Sequence, residues 1–328
     1  MTGLSDSFNR RINYMRIAIT DHCNLRCSYC TTKLIPRLSH DDVLRYEEIE
    51  RVVQAAAGLG VNRVRLTGGE PLVRPNLSRL VEMLVKIEGI DEVSLTTNGL
   101  LLSRYAEELK AAGLRRVNIS LDTFKPERFH RISGHDKLAD VMNGIEAAAA
   151  AGLNPVKINM VVLKVTNDDE LLDFARMSIG EGWSVRFIEH MPLVTTGGEA
   201  NKLVSIKEMM AIIQEALGGL EPCGPAAAGN GPAKYYRLPG ASGTIGFIGP
   251  VTSCFCADCN RFRLTADGRL RPCLLEDSEV DIKAVLRSGA SDEELRQLMW
   301  QAAALKMEQH GLGKDYVPGK RQMWQIGG

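Results

Sequence analysis

Cys23, Cys27 and Cys30 stand in one short stretch, Cys23-Asn24-Leu25-Arg26-Cys27-Ser28-Tyr29-Cys30, and three thiols at that spacing invite a metal. A tetrahedral zinc site wants four ligands, and no fourth thiol or imidazole follows at short range. His22 adjoins Cys23, but neighbouring side chains point apart and rarely chelate one ion. Three thiolates instead suit three corners of a 4Fe–4S cube and leave its fourth iron open to a non-protein ligand. A second group lies toward the other end of the chain, where Cys256-Ala257-Asp258-Cys259 is followed by Cys273, with Cys254 close by. Asp267-Gly268, between Arg263-Leu264 and Arg269-Leu270, predicts a hairpin that folds Cys273 back toward Cys259. With Cys254 as a fourth ligand, this second group would be a structural zinc site. Of the 8 cysteines in 328 residues only Cys223 stands apart, and so few in so long a chain do not make a disulfide scaffold. Tight clusters of this kind read as metal binding in a reducing compartment.

The segments that must position these thiols alternate in type. Strand-like patterns run over Met15–Thr20, Asn62–Thr67, Glu92–Thr96, Arg116–Leu121, Val156–Val162 and Ser184–Glu189. Helical patterns lie between them at Arg45–Gly58, Leu77–Ile87, Leu102–Ala112, Leu138–Ala151 and Asp168–Met177. Such alternation predicts right-handed βαβ units and a parallel sheet. Six units are too few for a closed eight-stranded barrel, so periodicity leaves a partial, open (βα)6 barrel or a doubly wound sheet.

Polar residues punctuate the strand ends. The first strand runs into Asp21 and the cysteine loop, and the second carries Arg65 into Thr67-Gly68-Gly69-Glu70-Pro71. The third ends in Thr96-Thr97-Asn98-Gly99 and the fourth in Ser120-Leu121-Asp122-Thr123. Lys157 and Asn159 sit in the fifth; Arg186, Glu189 and Met191 follow in and after the sixth. In parallel α/β folds the loops after the strands' C-terminal ends build the site, so these groups should converge beside the cysteine loop. Each taken alone reads as ordinary loop chemistry: a glycine turn, a helix cap. Gly68-Gly69-Glu70-Pro71 is neither a P-loop nor a GxGxxG fingerprint, although paired glycines let a ligand approach the backbone closely.

From Leu217 to Gly249 the composition shifts to Gly, Pro and Ala and predicts a loop-rich boundary. Ser291-Asp292-Glu293-Glu294 is a capping box opening a helix to about Met307. His310 alone reads as structural, and the terminal Gly327-Gly328 either frays or threads into a narrow site. The chain balances 40 Lys and Arg against 40 Asp and Glu, which argues against nucleic acid as a partner. No apolar run reaches about 18 residues and no signal peptide is evident, so a cytoplasmic protein without membrane association is expected.

The CxxxCxxC stretch, with Tyr29 before its last cysteine, resembles the signature of the radical S-adenosylmethionine (radical SAM) enzymes. The Gly-Gly-Glu segment about forty residues on strengthens that likeness. With the second triad, Asn260-Arg261-Phe262-Arg263-Leu264-Thr265 and the terminal Gly-Gly, nearly the whole chain resembles the molybdenum-cofactor biosynthesis protein A family of GTP 3′,8-cyclases. This implies two 4Fe–4S clusters, one on Cys23, Cys27 and Cys30 and an auxiliary one on Cys256, Cys259 and Cys273 facing the guanine. It further implies SAM cleavage to a 5′-deoxyadenosyl radical, hydrogen abstraction at C3′ of GTP, and C3′–C8 bond formation to 3′,8-cyclo-7,8-dihydro-GTP. By position, Tyr29, Gly69, Ser120 and Met191 match the family's SAM contacts. Arg16, Arg65, Thr96, Lys157, Arg261 and Arg263 match its GTP contacts, and arginine forks suit phosphate oxygens.

The expected fold is therefore α/β, a partial open (βα)6 TIM-like barrel over residues 1–220, with a C-terminal auxiliary-cluster and substrate-binding region over 221–328 ending in the Gly-Gly tail. Expected partners are GTP, an electron donor of flavodoxin or ferredoxin type, and cyclic pyranopterin monophosphate synthase as the downstream enzyme; a homodimer is left open. Cys254 departs from the family pattern. Competing readings are a radical SAM peptide maturase, which would leave Arg261 and Arg263 without a purpose, and a non-catalytic zinc protein, which would be colourless.

Overall fold

The computed structural model describes residues 3–30, 37–191, 193, 203–224, 231–312, 319 and 321–327. Six strands follow one another in parallel: β1 (Tyr14–Ala18), β2 (Arg63–Thr67), β3 (Glu92–Thr97), β4 (Arg116–Ser120), β5 (Lys157–Val162) and β6 (Ser184–Glu189). The helices between them are α1 (Tyr46–Ala57), α2 (Leu77–Val85), α3 (Leu102–Ala111), α4 (Pro126–Ser133), α5 (Leu138–Ala150) and α6 (Leu171–Gly180), and α7 (Ile206–Leu217) follows β6. The strands lie in sequential order in the sheet, and neither edge strand of this set pairs with the other, so the barrel is open.

Both edges are extended by the C-terminal region. There β7 (Glu221–Pro222), β8 (Lys234–Arg237) and β9 (Thr244–Ile248) are followed by β10 (Arg261–Leu264), β11 (Arg269–Arg271) and β12 (Val280–Asp281). Strand β9 adds in parallel to β6, with β8 and β7 antiparallel beyond it; β10 adds in parallel to β1, with β11 and β12 beyond. A single 12-stranded sheet results, in the order β12-β11-β10-β1-β2-β3-β4-β5-β6-β9-β8-β7. The Gly- and Pro-rich stretch expected to be loop thus carries strands β7 to β9, whose short apolar runs are broken by turns too closely for a clear period. The Asp267-Gly268 hairpin forms as expected, with Gly268 in the left-handed region at φ +76. Helices α8 (Ile282–Arg287), α9 (Asp292–Ala304) and α10 (Met323–Ile326) complete the chain, α9 opening on the Ser291 capping box.

Alternation along the parallel strands explains both faces of this sheet. Met15, Ile17, Val64, Leu66, Val93, Leu95, Val117, Ile119, Ile158 and Met160 are buried in the apolar layer shared with the helices. Each fully buried side chain of this size stabilises by about 2 kcal/mol. The alternate positions, Arg16, Arg65, Thr96, Asn118, Lys157, Asn159 and Arg186, face a cavity on the other side. Barrel interiors are ordinarily filled with branched aliphatic side chains. Here the interior is polar, and the outer apolar layer must offset the cost. Among the described residues no helix is long and apolar enough to cross a membrane.

Candidate active site

The first cysteine loop leaves β1 and is held on two sides. The Gly69 and Glu70 amides donate to Thr20 O (2.9 Å) and His22 O (2.7 Å). A Cβ at Gly69 would lie 2.2 Å from His22 O, and one at Gly68, whose φ is +148, would lie 2.3 Å from Thr20 O. The glycine pair is thus required by backbone approach to the cysteine loop itself. On the far side the Arg26 and Ser28 amides donate to Ser133 O and Ile132 O at the end of α4, both at 2.9 Å. Buried Glu70 accepts hydrogen bonds from Leu72 N (3.0 Å), Thr97 Oγ1 (2.7 Å) and Asn98 N (2.7 Å), fixing the Gly-Gly loop to the end of β3. Burial pushes its carboxyl up to about 7 against these three donors. Gly69→Ala is expected to cost about 1–3 kcal/mol through overpacking; a thermal melt and iron analysis should show lower stability and depleted first-site iron.

The three thiols are partly buried, and none of them is in a disulfide. Cys23 Sγ accepts from Leu25 N at 3.4 Å, with Asn98 Nδ2 at 4.0 Å. Burial, with Cys30, Asp122 and Cys23 nearby, pushes Cys27 well up as a free thiol. Neighbouring thiols that resist carrying charge together are relieved when cations take their protons' place, so the donor set fits a metal cluster. Tyr29 Oη donates to Asp122 Oδ2 at 2.6 Å, and Val161 N donates to Asp122 Oδ1 at 2.9 Å. Tyr29 and Ser120 line one small cavity with Cys27, Asn98 and Asp122.

Beside this loop opens the barrel cavity, about 1200 Å³ counting space open to solvent. Its wall includes Arg16, Arg65, Thr96, Lys157, Arg261 and Arg263, all six residues expected to contact the nucleotide, together with Met191 and the second triad, Cys256, Cys259 and Cys273. Strand register accounts for the gathering: Arg16 is level with Arg65 on β2 and with Arg263 on β10, while Asn159 is level with Arg186. Two unit charges about 5 Å apart at an effective dielectric of about 20 repel by about 3 kcal/mol. Burial and neighbouring Arg261 hold Arg263 down at about 10; burial, with Arg186 and Arg116 adding, holds Lys157 at about 8 despite Tyr235. No Asp or Glu is among the described residues of this wall. Buried Nε of Arg65, Nε and Nη2 of Arg186 and Oδ1 of Asn159 have no hydrogen-bond partner. Clustered buried cations with no carboxylate in their wall, and with guanidinium atoms left unbonded, call for an anionic ligand.

The second triad forms the cavity's far wall. Cys256 begins a 3-10 turn, Cys256–Asp258, in which Cys259 N donates to Cys256 O at 3.1 Å. Burial would raise the Cys259 thiol, but Arg261 and Lys306 pull it down to about 6, which favours a thiolate ligand. Cys273 Sγ accepts from Leu275 N at 3.5 Å. Buried Glu189, at the end of β6, accepts from Ile206 N (3.0 Å) and from Val251 N and Thr252 N (both 2.9 Å), tying the barrel to the loop before this triad. Cys254, Cys256 and His310 place ligand atoms within 4.8 Å of one another. Leu312 N donates to His310 Nδ1 at 3.2 Å, so the neutral ring carries its proton on Nε2, toward Cys254 Sγ at 3.7 Å. In that tautomer the imidazole donates to sulfur and does not ligate.

Sequence reasoning left Tyr14, Arg116, Asn118 and Tyr235 out of the site and expected Asn159 and Arg186 to converge on it without assigning them a ligand; all six line the cavity. For all but Tyr235 the signal was present: the side chain stands in a strand at a position that alternates with apolar ones. Arg116 differs from the others in pairing with Glu92 at 2.7 Å. Gly69 lies at the cysteine loop and outside both cavities. Of the tail, Gly327 O accepts from Arg263 Nη1 at 2.7 Å, and Gly327 takes φ +68 against Thr67 and Ala18. Gly328 lies outside the described residues.

Comparison with known proteins gives a consistent picture. Residues 17–178 match the radical SAM superfamily, and residues 183–312 match a family described as Molybdenum Cofactor Synthesis C. The chain is 49% identical to a GTP 3′,8-cyclase of Moorella thermoacetica over 99% of this chain and 100% of that protein. It is 45% identical to a GTP 3′,8-cyclase of Thermodesulfovibrio yellowstonii, again over 99% and 100%. Among solved structures, Streptococcus suis SuiB bound to S-adenosylmethionine shares the fold at a TM-score of 0.62 and 14% identity, covering 88% of this chain and 68% of that one.

Proposed function

This chain belongs to the GTP 3′,8-cyclase family of the radical SAM superfamily, and from that premise we propose that it cyclises GTP between C3′ and C8 inside the cationic barrel cavity, in molybdenum cofactor biosynthesis. The observation that carries this reading is a wall of buried Arg and Lys, free of carboxylates among its described residues, that continues into the second cysteine triad. A cluster on Cys23, Cys27 and Cys30, when bound, supplies the electron that cleaves SAM. Tyr29, Gly69, Ser120 and Met191 would hold the cosubstrate, a role supported by the cavity Tyr29 and Ser120 share with Cys27.

The chain's own residues would do the positioning. Arg16, Arg65, Lys157 and Arg263 would neutralise the triphosphate, and Arg186 would join them through its unpartnered guanidinium atoms. Thr96 and Asn118, joined at 3.5 Å, offer a hydroxyl and an amide oxygen for sugar or base. Arg261 stands over Phe255 with its guanidinium carbon 4.9 Å from the ring centroid, at the wall formed by Cys256, Cys259 and Cys273, which would hold the auxiliary cluster toward the guanine. None of these groups is asked for acid–base chemistry. Orientation and charge neutralisation are their contribution. The tail, through Gly327 O on Arg263, would fix that arginine's direction. Cyclic pyranopterin monophosphate synthase would take the product, and a flavodoxin- or ferredoxin-like protein would deliver the electrons.

Anaerobic reconstitution with SAM, a reductant and GTP tests the proposal. 5′-Deoxyadenosine formed together with a cyclised guanine nucleotide supports it, and SAM cleavage indifferent to GTP sinks it. A pH profile adds a second check. Burial leaves Lys157 charged only below about 8 in the free protein, so its attraction for triphosphate is present at neutral pH and lost as pH rises through that value. kcat/KM for GTP should therefore show a basic limb near 8 that moves upward in Lys157→Arg.

A further inference from the structure

The segment after α9 holds a buried lysine that the activity does not explain. The Lys306 ammonium donates to Pro272 O at 2.6 Å and to Arg261 O at 3.3 Å. Pro272 directly precedes Cys273, and Arg261 lies two residues after Cys259. The lysine thus bridges the backbone beside two of the three second-triad cysteines. It is 4% exposed, and carbonyls are its hydrogen-bond partners; among the described residues it enters no ion pair. A buried charge without an opposite charge costs several kcal/mol. The counter-charge at hand is the sulfur of Cys259 and Cys273, on both of which Lys306 acts electrostatically.

The next residues complete a strap. Arg10, itself paired with Asp6 at 2.6 Å, donates to Met307 O (2.6 Å), Glu308 O (2.7 Å) and Cys256 O (2.8 Å). Residues 306–308 are therefore tied to the backbone beside Cys259 and Cys273 by Lys306, and to Cys256 through Arg10, and none of the three lines the substrate cavity.

We propose that Lys306 is the built-in positive counter-charge of the second metal centre, raising its reduction potential and retaining it in the protein. A cation beside a cluster favours the more negative, reduced state, so its removal must lower the potential. The inference rests on the reading that Cys256, Cys259 and Cys273 carry an iron–sulfur cluster, and iron analysis separates the two. A wild-type holoenzyme with about four iron atoms per chain instead of about eight overturns that reading, and this proposal with it.

The experiment is an EPR-monitored redox titration of reconstituted holoenzyme, with the first centre distinguished by its response to SAM. Lys306→Met and Lys306→Gln should both lower the second centre's potential, or lose its share of the iron, while leaving the first centre unchanged. Glutamine keeps a donor for the carbonyls and lacks the charge. A wild-type potential and full iron in Lys306→Gln would mean that hydrogen bonding suffices, and would overturn the proposal. If neither neutral variant folds, Lys306→Arg decides: a retained potential supports the charge, and a lowered one refutes it.

Discussion

Replacing Cys27 with alanine is expected to abolish reductive cleavage of SAM, and cyclisation with it, while leaving GTP binding nearly untouched. Cys27 is the middle thiol of the first triad and packs against the apolar core. Two remaining thiols cannot hold three corners of a cube, so iron should fall from about eight to about four atoms per chain. The cationic cavity is built from strand side chains, and the first triad is not part of its wall. Distant, independent sites combine within about 0.5 kcal/mol, or about twofold in binding. Equilibrium binding of GTP to the variant, beside an assay for 5′-deoxyadenosine, checks both halves. Residual SAM cleavage at a measurable rate would remove Cys27 from the initiating centre.

Arg263→Met should have the second largest effect, and of the opposite kind. Arg263 is buried on β10, level with Arg16, and its Nη1 holds Gly327 O. The substitution keeps the length of the stem but removes the fork, so one change deprives the cavity of a cation and frees the tail. Loss of a buried charged contact costs about 3 kcal/mol, roughly a hundredfold in kcat/KM for GTP. SAM cleavage should persist, uncoupled from cyclisation. An unchanged kcat/KM would show that the triphosphate lies elsewhere.

These two expectations differ in how openly the sequence carries their basis. The first triad needs only spacing and thiol chemistry, and each parallel strand expected from periodicity lies within two residues of its observed bounds. Ser184–Glu189 coincides with β6 at both ends. Regular alternation of apolar and polar positions makes such segments legible. Helix α4 was missed: its eight residues are mostly polar, with Phe129, Ile132 and Ser133 buried, and it shows its purpose only through the carbonyls that receive the cysteine-loop amides. The pairing of β10 with β1 was also hidden. Nothing local in Arg261–Leu264 says which distant strand it will join, because register is set by long-range burial. For the same reason Arg186 and Asn159 were seen as strand residues, yet their common level across β5 and β6 was not.

The place of β10 also bears on how the chain is made. A ribosome produces β1, the first cysteine loop and β2 to β6 well before Arg261 emerges. Until then β1 is an unpaired edge, and such edges recruit other chains. Pairing across so long a separation in sequence is slow, since loop closure must precede any reward from contact. The late strand is both the guard of that edge and the bearer of Arg261 and Arg263. Protecting the nascent sheet from aggregation and completing its cationic interior are therefore a single folding event.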